Sequence, residues 1–162
     1  STLLLDSAAN KNAVSASMQR ADLVHLACHG RYDPDFPSAS GLKLADGWLT
    51  LDDVRRLRLN QPLMVLSGCE TGRARVDHGD DLVGLMTAMM ASGASRLVTS
   101  LWKTHDTAAM ALMTSFYSYL REGQSVPAAL RASQLDVMKS HPHPAMWAPF
   151  VGIAKQSRGM LV

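Results

Sequence analysis

Three short apolar runs that do not alternate constrain this chain more than any other feature. Residues 21–30 carry Leu23, Val24, Leu26 and Ala27 and stop at Gly30. Residues 62–69 carry Leu63, Met64, Val65 and Leu66 and reach Gly68 and Cys69. Residues 95–102 carry Leu97, Val98 and Leu101 and end at Trp102. A strand with one wet face alternates apolar and polar side chains, whereas a strand covered on both faces reads as a near-continuous apolar run. The pattern therefore predicts three strands inside a sheet, with residues 3–5 as a fourth strand and residues 150–154 as a fifth. The length of 162 residues suits one domain. Aromatic residues are only 6% of the chain, so the core has to be built from Leu, Val, Ala and the ten Met residues.

Helical periodicity fills the intervals. Residues 12–20 predict a short helix. Thr50 and Asp53 have the spacing of a capping box, with Leu51, Val54 and Leu57 on one face. Leu82, Leu85, Met86, Met89 and Met90 form a stripe, as do Ala109, Leu112, Met113, Phe116, Tyr117 and Leu120, after which Gly123 is a stop signal. A last helix starts near Ser125 and Pro127 and runs towards Met138. Methionines on such stripes belong to the core. Residues 31–46, rich in Pro, Asp, Ser and Gly, predict a long loop or small hairpin, with residues 41–44 and 48–50 as strand fragments.

Strands alternating with helices imply an open, mainly parallel, three-layer α/β sheet. In such sheets ligands bind beyond the carboxyl ends of the strands. His29, Cys69 and Trp102 fall at those ends. A free thiol has a pKa near 8.5, so Cys69 as a nucleophile needs a base, and His29 is placed to act as one. Gly30 and Gly68 leave room for a substrate backbone. The backbone N–H groups of Gly30 and Cys69 are candidates for an oxyanion hole. Cys28 and His29 are adjacent in a strand and point to opposite faces, so Cys28 reads as core. Zinc is the rival chemistry. Cys28, His29, Cys69, His141 and His143 lack the C-x-x-C or H-x3–5-H spacing of zinc sites, so no metal is expected.

The stretch Leu26-Ala27-Cys28-His29-Gly30 resembles the "ACHG" motif of CHAT domains, a caspase-like peptidase family often found behind TPR repeats. The likeness continues through residues 44–50, 66–72 and 79–85, then Ser100-Leu101-Trp102, Phe116-Tyr117, Ala129-Leu130-Arg131 and residues 147–151. It covers nearly all 162 residues as one domain, 1–162. The chain departs from the family at Gly68, where Ala is common, and at Gly79-Asp80-Asp81, where Gly-Glu-Gly is frequent. Neither change removes Cys69 or His29. The caspase signature Q-A-C-[RQG]-G is absent, so aspartate specificity is not implied.

The resemblance implies a three-layer α/β/α caspase-like sandwich, of which this chain is the C-terminal, catalytic part, the upstream strand and helices of the family being absent. It implies a cysteine endopeptidase acting through a Cys69–His29 dyad without a cofactor, in a regulated bacterial protein of the cytoplasm. An inactive caspase-like scaffold used for protein interaction is the alternative. The partners it implies are a protein or peptide substrate and an N-terminal segment or regulatory module, such as TPR repeats, of the same longer protein. Residues 101–106 are also similar to a stretch of separase, an arginine-specific relative. On that likeness Asp106 lines the S1 pocket, with Trp102 as a wall and Glu70 and Asp80 as further acidic candidates. Against it, an Asp just before a helical stripe is an ordinary N-cap, and Trp102 reads equally as a large core aromatic.

Other classes are disfavoured by bulk properties. A net charge of +2 with scattered basic residues gives no footprint for nucleic acid or an anionic membrane. Two cysteines do not make a disulfide scaffold and fit a reducing compartment. The run Leu3-Leu4-Leu5 lacks the basic flank and length of a signal peptide, and no stretch approaches the ~20 apolar residues of a membrane span.

Overall fold

The computed structural model describes residues 1–31, 33, 35–67, 81–102 and 105–155, with the backbone alone for residues 81–83. Two sheets organise it. The larger has the order β1-β5-β6-β7, from β1 (Leu23–Leu26), β5 (Leu63–Leu66), β6 (Arg96–Ser100) and β7 (Phe150–Ala154). The pairs β1/β5 and β5/β6 are parallel, and β6/β7 is antiparallel. The smaller sheet is an antiparallel meander of β2 (Gly30–Arg31), β3 (Gly41–Leu44) and β4 (Gly47–Thr50). The strand fragments expected at 41–44 and 48–50 are thus β3 and β4.

The apolar runs of β5 and β6 read as sequence expects, because each of these strands feeds two cores, whereas β1 packs only Val24 and Leu26 against one of them and leaves Leu23 and His25 exposed. Met64, Leu66 and Leu97 belong to one apolar cluster, and the alternate residues Leu63, Val65 and Val98 to the other. The first is covered by α1 (Lys11–Met18), α2 (Leu51–Arg56) and α3 (Asp81–Ala91), through Met18, Val54 and Met89. The second is covered by α4 (Asp106–Arg121) and α5 (Val126–Ser140), through Leu112, Phe116 and Leu130. A short α6 (Pro144–Trp147) leads into β7. This is a mixed α/β fold with a mostly parallel main sheet.

Local chemistry sets the helix ends. Thr50 Oγ1 accepts from the Asp53 N–H at 3.2 Å, and Asp53 Oδ2 accepts from the Thr50 N–H at 3.1 Å, completing the expected capping box. Ser125 caps α5 through its side chain. Gly123 has φ +86° after α4, the left-handed geometry of a stop residue. Gly93, between α3 and β6, has φ +120° and lies against the Leu59 carbonyl, where a Cβ would collide.

Two expectations are corrected. Residues 3–5 are not a strand. Asp6–Ala8 form a single 3-10 turn directly after them, and Leu3 and Leu5 are 79% and 61% exposed. The run is too short to pay back its ordering by burial where no sheet edge receives it. The apolar run at 21–30 also breaks: β1 ends at Leu26, and Gly30 starts β2 in the other sheet.

Candidate active site

The parallel register brings strand ends together. Leu26 is paired with Leu66, and Leu66 with Thr99. The chain therefore leaves β1, β5 and β6 along one edge, the place where open α/β sheets bind ligands. His29 follows three residues after Leu26 and is exposed. Cys69 follows three residues after Leu66 in sequence and lies outside the described residues, as do Glu70 and Asp80.

The Lys43 N–H donates to the His29 carbonyl at 2.7 Å. That bond makes Gly30 and Leu42 a non-hydrogen-bonded pair of the antiparallel β2/β3 ladder. The Gly30 N–H is accordingly turned away from β3. Gly30 itself is buried.

Cys28 behaves as its position in the strand suggests. It is half-buried and packs against the cluster under α1–α3. Burial raises its thiol pKa to about 11. It lines a cleft of about 640 Å³ together with Asp6, Ser7, Lys43 and Asp46. Among the described residues no three His, Cys, Asp or Glu side chains form a metal-binding group. No described helix is long and apolar enough to cross a membrane.

The expected pocket residues are placed only in part. Trp102 is 37% exposed, so it is not a core aromatic, and its indole N–H donates to the Ala145 carbonyl at 3.3 Å. Asp106 is exposed and is the first residue of α4. It is not the N-cap: His105 occupies that position, with no capping side-chain bond. The cap expectation fails by one residue, because the chain enters helical geometry at Asp106 rather than after it. There the carboxylate complements the positive end of the helix dipole.

One cluster at this edge was not anticipated. The His25 Nε2 lies 2.5 Å from Ser67 Oγ, and its Nδ1 lies 2.9 Å from the Tyr117 hydroxyl. Partial burial lowers the pKa of His25 and raises that of Tyr117, so both are neutral near pH 7. The available signal was His25 itself, a polar residue between Val24 and Leu26 in an otherwise apolar strand.

A family model described as CHAT domain matches residues 1–155. Tetratricopeptide repeat protein 28 of Mus musculus is 36% identical over 104 residues, covering 63% of this chain and 4% of that protein. Its Homo sapiens counterpart is 33% identical over 105 residues, covering 64% of this chain and again 4% of the relative. The chain thus spans a small fraction of the length of these relatives.

Proposed function

The chain belongs to the CHAT domain family, and from that premise we propose that it is a caspase-like cysteine endopeptidase working through Cys69 and His29. The observation that carries the reading is the β1/β5 register. Leu26 and Leu66 are partners, and in sequence His29 and Cys69 each follow three residues later. A base and a thiol at the same sequence offset from paired residues of adjacent parallel strands suit acyl transfer.

In this mechanism Cys69 attacks the scissile carbonyl as a thiolate, its proton having passed to His29. The oxyanion is held by the N–H groups of Gly30 and Cys69. The turn of the Gly30 N–H away from β3 supports that role. His29 then protonates the leaving amine and activates the water that releases the acyl group. Asp106 is assigned to a pocket for a basic P1 side chain, with Trp102 beside it. Its exposed position at the start of α4 supports that assignment.

The test is covalent labelling by a peptidyl acyloxymethyl ketone, mapped by mass spectrometry. Labelling of Cys69 that is lost in His29→Ala supports the peptidase. A folded protein that takes no label on Cys69 supports instead the interaction scaffold, in keeping with relatives named for tetratricopeptide repeats. By the same reading, an upstream segment or repeat module of a longer protein is a partner of this domain.

A further inference from the structure

The hydrogen-bonded chain Ser67–His25–Tyr117 has no part in the chemistry above, yet it lies where that chemistry is organised. His25 is on β1, four residues before His29. Ser67 is the first residue beyond β5, two before Cys69. Tyr117 is on α4, its ring 5.7 Å from that of His25 and 5.4 Å from that of the fully buried Phe116. One imidazole thus joins β1 and the end of β5, the strands that precede His29 and Cys69 in sequence, to a helix anchored in the second core.

Two features show that the imidazole is held rather than merely tolerated. Both ring nitrogens have partners. The network is also complete in either tautomer. With the proton on Nδ1, it donates to the Tyr117 oxygen and Ser67 donates to Nε2. With the proton on Nε2, it donates to Ser67 and Tyr117 donates to Nδ1. Aliphatic side chains fill the neighbouring strand positions, so filling space does not require a histidine here. The backbone ladder adds a reason. The Ser67 N–H donates to the Leu26 carbonyl at 3.1 Å, the last β1/β5 ladder bond among the described residues. At that same residue the Ser67 side chain is taken up by His25.

We propose that His25 is a positioning residue, which through Ser67 and Tyr117 fixes the start of the segment that runs on to Cys69 relative to the end of β1, from which the chain runs on to His29. The inference rests on the dyad reading. Its physical basis is that a misplacement of about 1 Å between reacting groups lowers rates by roughly 10²-fold. A side-chain bridge at the last ladder position removes that freedom.

The experiment measures the pH dependence of Cys69 alkylation by iodoacetamide, in a Cys28→Ala background, together with kcat and KM on a cleaved peptide. The variants are Ser67→Ala, Tyr117→Phe, His25→Leu and the Ser67→Ala/His25→Leu pair. Ser67→Ala and His25→Leu are each expected to lower kcat about tenfold or more with KM unchanged. Both should move the alkylation profile towards that of an ordinary thiol, and the pair should be no worse than the poorer single variant. Tyr117→Phe should act in the same direction and less strongly. Ser67→Ala and Tyr117→Phe remove one hydroxyl each and carry the test if His25→Leu does not fold. Folded Ser67→Ala and Tyr117→Phe proteins with unchanged kcat and profile, alongside a His29→Ala protein whose profile moves, would overturn the positioning role and leave the dyad. A parent profile that His29→Ala does not alter would overturn both.

Discussion

Leu26 on β1 and Leu66 on β5 are register partners, and the residue after Leu66 donates its N–H to the Leu26 carbonyl at 3.1 Å. This pairing sets the two thiols of the chain apart. Cys28 follows Leu26 by two residues and faces the apolar cluster, which raises its pKa to about 11. At pH 8 roughly one Cys28 in a thousand is a thiolate on that value. Iodoacetamide at pH 7–8 is expected to modify Cys69 well before Cys28, as read by peptide mapping over time. Faster modification of Cys28 would reverse the assignment of the nucleophile.

Specificity is expected to depend on Asp106. A carboxylate facing a guanidinium holds it bidentately, and an unpaired charge in a pocket costs several kcal/mol. Peptides with Arg or Lys at P1 should therefore be cleaved far better than those with Asp or Leu. Asp106→Asn should lower kcat/KM for Arg substrates by roughly 10²-fold, with a stability loss of about 1 kcal/mol or less from the charge removed at the start of α4. Equal cleavage of basic and neutral substrates by both proteins would remove Asp106 from the pocket.

Acid sensitivity should have a component from His25. Its folded-state pKa lies below the ordinary imidazole value, lowered by desolvation on burial. The unfolded chain therefore binds this proton at higher pH than the folded chain does. The stability so contributed is fully present above about pH 6.5 and falls as the pH drops from there through the folded value. Urea midpoints of the parent and His25→Asn, compared at pH 7.5 and 5.5, should show a smaller loss in the variant. An equal loss in both would show that His25 is not the group responsible.

The outer edge of β1 is a second exposed feature. Among the described residues β1 pairs only with β5, and Leu23 is 41% exposed, as Leu3 and Leu5 are at 79% and 61%. An open strand edge with apolar side chains invites pairing with another chain. Leu23→Lys is expected to slow aggregation, measured by light scattering at raised temperature, with the melting temperature little changed. Joining the proposed upstream segment should have the same effect and also raise the melting temperature. Unchanged aggregation in both cases would argue that this edge is not the liability.

Much of this arrangement was legible in the residues. Non-alternating runs marked β5 and β6 because every side chain of β5, and every one of β6 after Arg96, is buried on one face or the other. The stripes through Leu112 and Phe116, the Thr50–Asp53 box and the Gly123 stop are local signals, and they appear where expected. Leu3 to Leu5 misled because apolar character alone cannot supply the neighbouring strand that a β-strand needs. Asp106 misled by one residue, since helix starts blur at that scale. The Ser67–His25–Tyr117 chain was invisible because it joins residues 42 and 92 positions apart, and only the folded register brings them together.

The central claim is tested most directly by turnover. A peptide library read by mass spectrometry is digested with the parent, Cys69→Ala, His29→Ala and the double variant, each checked for folding by circular dichroism. The expected result is cleavage by the parent, loss of at least about 10³-fold in each single variant, and no further loss in the double, because the two side chains act as a unit. Cleavage by Cys69→Ala at the rate of the parent would contradict it.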